Sequence, residues 1–103
     1  MSTTKDNFEV LFYKGSEIRD ERKIKEILEK EGFHWLLPGN AQFEKANIEI
    51  KKNTIIWNSG TFYTGNWYYG IWKSGNFYGI WENGIFEDGK FEGDFVSGIK
   101  SSP

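Results

Sequence analysis

The sequence predicts an α+β fold: an antiparallel β-meander of short hairpin repeats, preceded by a small βαβ-like unit that carries one helix. Two observations carry this prediction. Residues 56–98 repeat an aromatic–glycine pattern with a period of 14 or 15 residues. Residues 1–55 set alternating apolar stretches on either side of one charged, helix-like segment. The halves differ sharply in composition. The first 55 residues hold ten Lys/Arg and ten Asp/Glu, whereas residues 56–103 hold three and five, with nine of the twelve glycines and thirteen of the nineteen aromatics. At 103 residues the chain suits one domain with a modest core.

The elements follow in order. Phe8, Val10 and Phe12 alternate in "FEVLFY", the period of a strand. "KGS" ends it. Ser16 is the candidate N-cap of a helix of about 17–31, with Gly32 as its C′ residue. Glu21–Lys25 and Glu26–Lys30 stand four apart with acid before base, the favourable order. Ile24, Ile27 and Leu28, with Ile18, form a thin apolar stripe. "FHWLL" at 33–37 reads as a second short strand or a buried segment, "PGN" at 38–40 as a turn, and "NIEI" at 47–50 as a strand. "KKN" then turns the chain into "TIIW".

The repeat units are "IWNSGTFYTGNWYYG" (56–70), "IWKSGNFYGIWENG" (71–84) and "IFEDGKFEGDFVSG" (85–98). The pairs "SG", "NG", "DG" and "YG" sit where two-residue hairpin loops belong, because such loops need positive φ. With each pair as a loop, Trp57 faces Phe62, Trp67 faces Trp72, Trp72 faces Phe77, Trp81 faces Phe86, and Phe86 faces Phe91. Each cross-strand pair of this kind contributes roughly 0.2–1 kcal/mol. Gly65, Gly79 and Gly93 fall inside the longer strands, and Gly79 makes room for a neighbouring ring. The first unit has one residue more than the others near Tyr63–Thr64, which a β-bulge absorbs. The aromatic ladder needs a cover. The sheet curls on itself, or the N-terminal strands cover it, or a partner does, a second copy being one candidate.

The runs Tyr63-x-Gly65-x-Trp67-x-x-Gly70, Phe77-x-Gly79-x-Trp81-x-Asn83-Gly84 and Phe91-x-Gly93-x-Phe95-x-x-Gly98 resemble MORN repeats over residues 56–99. The resemblance implies successive β-hairpins and a scaffold or interaction module, with lipid binding claimed for some members and no catalytic residues to carry over. The period is shorter than that family's, and the paired glycines of its second half are reduced to "IFEDGK". The segment also resembles pentapeptide repeats, which implies a four-sided β-helix. The four-residue spacings at 75–79 and 89–93 break that period, and stacked indoles would overfill so narrow a core.

Chemistry is sparse. There is no cysteine, so no disulfide or thiolate metal site. His34 is the lone histidine and reads as structural. In "EDGKFEGD", Asp88 reads as a turn residue and Glu87 as facing Lys90, rather than as parts of a cation site. No P-loop, GxSxG, HExxH or EF-hand spacing occurs. These readings point to a non-enzymatic protein with no cofactor and no metal. The N-terminus lacks the apolar region of a secretory signal, and no apolar run approaches the ~18 residues of a membrane span. A cytoplasmic location follows as the expectation. The net charge of −2 argues against nucleic acid.

Tyrosines stand outside the repeating aromatic positions, and tyrosine is enriched at interfaces. The expected partner-binding residues are Tyr63, Tyr68, Tyr69 and Tyr78, of which Tyr68 and Tyr78 face away from the aromatic ladder and Tyr69 sits in a turn, with Glu82, Glu92 and Asp94 on the face turned from the ladder. The expectation is a protein-binding adaptor or small inhibitor, of the kind that phages or mobile elements direct against host defences. The alternative is binding of carbohydrate or single-stranded nucleic acid on an aromatic platform.

Overall fold

The computed structural model describes residues 7–37 and 39–101. Its strands are β1 (Phe8–Tyr13), β2 (Ser16–Ile18), β3 (Gln42–Lys51), β4 (Thr54–Thr64), β5 (Asn66–Trp67), β6 (Ile71–Trp72), β7 (Asn76–Phe77), β8 (Ile80–Trp81), β9 (Ile85–Phe86), β10 (Lys90–Phe91), β11 (Asp94–Phe95) and β12 (Ile99–Lys100). One helix, α1 (Glu21–Glu31), and one 3₁₀ turn (His34–Leu36) lie between β2 and β3.

The N-terminal unit is β-α-β. β1 and β3 run parallel with α1 between them in sequence, and β2 adds an antiparallel edge. Two hairpins are built on central residues of positive φ, as type I′ turns demand: Lys14-Gly15 (49° and 79°) and Lys52-Asn53 (49° and 64°). The helix starts later than its charge pattern suggests. Residues 16–18 pair with β1 as β2, and Asp20, not Ser16, caps the helix by accepting from the Arg22 N–H at 3.1 Å. Gly32 ends it at φ 92°, and Glu21–Lys25 closes at 3.4 Å. Ile24 and Leu28 are buried. Of the two readings of residues 33–37 the strand does not form and the buried segment does: a 3₁₀ turn (His34–Leu36) with Phe33 and Leu36 buried. Pro38 of the expected "PGN" turn lies outside the described residues, and Gly39-Asn40 do turn.

The repeats are not a meander. The strands of successive units pair in parallel, one unit on the next, as a three-sided β-solenoid. Side one stacks Ile56-Trp57, Ile71-Trp72, Ile85-Phe86 and Ile99-Lys100. Side two stacks Thr61-Phe62, Asn76-Phe77 and Lys90-Phe91. Side three stacks Asn66-Trp67, Ile80-Trp81 and Asp94-Phe95. Each repeat is therefore one coil, and its hydrogen bonds go to the coil before it: Glu82 N to Trp67 O at 2.7 Å, Glu92 N to Phe77 O at 2.8 Å. β4 supplies two sides of the first coil and pairs antiparallel with β3. The additional residue of that coil lies at the corner after Tyr63. Pairing is offset by 15 residues at Phe62–Phe77 and by 14 at Asn66–Ile80.

The turn glycines are corners, not hairpin loops. They form three columns along the axis: 60, 75, 89; 65, 79, 93; and 70, 84, 98. At Gly98 (φ 111°) a Cβ would stand 2.5 Å from the Gly84 carbonyl oxygen, so backbone meets backbone where a side chain has no room. Gly79 does make room for a ring: a Cβ there would stand 2.8 Å from Phe62.

The second residue of each strand points inward, which gives the core its order. Along the axis rings stack: Trp57 on Trp72 at 4.6 Å, Phe62 on Phe77 at 5.0 Å, Trp67 on Trp81 at 5.3 Å. Around each coil they meet edge to face, as Trp57–Phe62 (73°) and Phe62–Trp67 (83°) do. All five pairs expected from hairpins do touch, between 5.1 and 5.9 Å, but edge to face around the coil rather than across hairpins. A three-sided coil of 14 or 15 residues is wide enough to hold the indoles that a narrower core would not. The sheet has closed on itself to cover its own ladder. One continuous core runs through both halves, and Phe33, Leu36, Phe43 and Ile48 close the first coil. The N-terminal unit is thus the cap that a solenoid needs at one end.

Candidate binding surfaces of the solenoid

Closure of the coils splits the expected partner-binding residues between two sides. On side two, Tyr63 and Tyr78 stack outward at 6.3 Å and 8° from parallel, with Glu92 the next residue of that column. The Tyr63 hydroxyl donates to Glu44 Oε1 at 3.0 Å. That bond to a carboxylate favours the protonated phenol and raises its pKa above the usual 10.0. Lys90 pairs with Glu92 at 3.5 Å, not with Glu87. Asp88 is the turn residue expected, accepting from its neighbour Gly89 N at 2.8 Å.

Tyr68 and Glu82 lie one above the other on side three, and Asp94 follows Ile80 in the adjoining column. Tyr68 and Tyr69 lean on Trp35 of the 3₁₀ turn at 5.8 and 5.4 Å. Glu82 accepts from Asn66 Nδ2 at 2.6 Å. His34, Trp35, Asn40, Asn66 and Tyr68 line an open cleft of about 380 Å³ between the 3₁₀ turn and side three. A larger groove of about 1110 Å³ runs beside the two hairpins and is lined by Phe12, Lys14, Glu49, Lys51, Lys52 and Asn58 among others. Trp35, Asn40 and Asn66 carry no motif. Only the pairing of a 3₁₀ turn with a coil side brings them together, so sequence reading had no signal for them.

The far end of the solenoid differs from the capped end. Among the described residues, β10, β11 and β12 have a neighbour on one side only. Trp67 and Trp81 are fully buried, whereas Phe95 below them is 41% exposed, beside Val96 at 60% and Ile99 at 59%. Lys100 takes the inward position after Phe86, and its ammonium lies 4.9 Å from the Phe91 ring centre and 5.8 Å from that of Phe95. A charged side chain turned inward is a common guard of an open strand edge.

Among the described residues no group of three or more His, Cys, Asp or Glu side chains could hold a metal ion. No described helix is long and apolar enough to cross a membrane. No family model, no curated protein and no solved structure matches the chain.

Proposed function

We propose that the chain is a non-enzymatic protein-binding module, a small adaptor or inhibitor. The observation that carries this reading is the outward column of stacked tyrosines, Tyr63 on Tyr78. Both rings are exposed, and Phe95, Val96 and Ile99 add exposed apolar surface further along the coils. Exposed rigid aromatic and apolar surface of this kind is what a partner covers. The aromatic–glycine repeat, with its resemblance to MORN repeats, supports the same class of role. Tyr63, Tyr78 and Glu92 would form one flank of the contact, and Tyr68, Tyr69, Glu82 and Asp94 the other.

The test is affinity capture with three baits: wild type, Tyr63→Ser/Tyr78→Ser, and Phe95→Ser/Val96→Ser/Ile99→Ser. The substituted side chains are exposed, so the variants should fold. A partner retained by wild type and lost by either variant supports the reading. Identical capture by all three baits sinks it.

A further inference from the structure

We propose that the cleft between the 3₁₀ turn and side three is a binding site for a neutral pyranose sugar. This inference shares Tyr68 and Glu82 with one flank of the protein-binding reading but does not depend on it. It rests on which groups line the cleft and on how they are held.

A pyranose ring offers an apolar C–H face and a rim of hydroxyl groups. Its receptor needs an aromatic surface for the first and planar amides for the second, because an amide both donates and accepts in one plane. The cleft supplies both. Trp35 and Tyr68 form the aromatic wall, 5.8 Å apart and edge to face. Trp35 is held in place by Trp67 at 5.1 Å and by Tyr69 at 5.4 Å.

The two amides are oriented before any ligand arrives. Asn40 Nδ2 donates to the His34 carbonyl at 2.9 Å, and Asn66 Nδ2 donates to Glu82 at 2.6 Å. An asparagine amide has two N–H donors and a carbonyl oxygen that accepts twice. Each bond uses one donor and fixes the amide plane, which leaves the second N–H and the oxygen for a ligand. The backbone under Asn40 is fixed too, since its N–H donates to the Leu37 carbonyl at 3.0 Å.

The same lining argues against other small ligands. No Lys or Arg lines the cleft, and the Glu82 carboxylate that holds Asn66 disfavours an anion beside it. Its walls carry two amides beside the aromatic rings, so an acyl chain would leave the amides without partners. A volume of about 380 Å³ matches the lower end of ligand pockets and suits a single ring.

The experiment is a two-dimensional ¹H–¹⁵N NMR titration of the full chain. The probes are methyl β-D-glucopyranoside, methyl β-D-galactopyranoside and methyl α-D-mannopyranoside, with sorbitol as an acyclic control. The expected result is a saturable shift of the Trp35 indole N–H and of the Asn40 and Asn66 side-chain amides with at least one pyranoside. A single ring in an open cleft should bind at roughly 1–10 mM. Tyr68→Ala and Asn40→Ala should each weaken that binding about tenfold. Both side chains are exposed, which keeps the comparison clear of folding. Tyr78→Ala, on side two, should leave it unchanged. The proposal fails if no pyranoside shifts these resonances saturably up to about 50 mM. It also fails if sorbitol shifts them equally, or if Tyr68→Ala and Asn40→Ala bind as wild type does.

Discussion

Trp57 and Trp72 lie face to face, ring centres 4.6 Å apart and planes 7° from parallel, although fifteen residues of chain separate them. This contact defines the molecule. It exists because Ile56-Trp57 and Ile71-Trp72 are the same side of two successive coils, paired in parallel. A hairpin would have set Trp72 against Trp67 as strand partners. The coil makes them edge-to-face neighbours instead, at 5.5 Å.

Removing a ring from the middle of this stack should be costly. Trp72 touches Trp57 and Phe86 along the axis and Phe62, Trp67, Phe77 and Trp81 around it. Trp72→Ala is expected to destabilise by about 3–5 kcal/mol in urea unfolding. Trp72→Phe should cost less than about half of that. A phenyl ring already serves as Phe86 one coil on, and the buried Trp72 indole N–H has no hydrogen-bond acceptor to lose.

The glycine columns give a second contrast. Gly75 sits at φ 112°, directly over the Gly60 backbone, with no flexible side chain in the way to yield. Gly75→Ala should cost about 3 kcal/mol or more, the left-handed backbone penalty plus the strain of coils forced apart along the axis. Gly32 also has positive φ, but nothing lies within 4 Å of where its Cβ would be. Gly32→Ala should cost about 1–2 kcal/mol, the left-handed backbone penalty alone. Equal losses at the two sites in thermal or urea unfolding would refute the stacking account.

Alkali should expose the Tyr63–Glu44 bond. The phenol is held protonated by the Glu44 carboxylate, first through the hydrogen bond and then through burial and charge, so its folded pKa lies above its unfolded value. The native state then keeps a proton that the unfolded chain has lost. The stabilisation is complete below pH 10 and is lost as pH rises through the folded pKa. In a spectroscopic titration near 295 nm, Tyr63→Phe should remove one phenol from the late part of the curve. Tyr13, which donates to Glu31, is raised for the same first cause, and Tyr13→Phe should remove another.

Much of this was legible in the residues. The period at 56–98, the strand at Phe8–Tyr13, the βαβ-like order of the N-terminal unit, the Gly32 terminus and the outward Tyr68 and Tyr78 all follow from local spacing. The helix start was misread because Ser16 carries a capping side chain but sits in a register that pairs with Tyr13. The site was less legible still. Tyr63 and Tyr68 lie five residues apart in sequence yet belong to different sides, because Gly65 turns the corner between them.

The sequence by itself determined which residues point inward, since each strand from β5 to β11 places its aromatic second and a glycine lies near each corner. Only the tertiary structure decided what those aromatics face. An aromatic–x–Gly pattern satisfies a hairpin and a coil equally well, because both reverse the chain at glycine and both bury every second side chain. The choice falls to the backbone edges and the ladder. A flat meander would leave one whole aromatic face in water, whereas parallel coils cover it with one another and the N-terminal unit closes the first of them. In the last described coil Phe95 is 41% exposed and the Lys100 ammonium lies 5.8 Å from its ring centre.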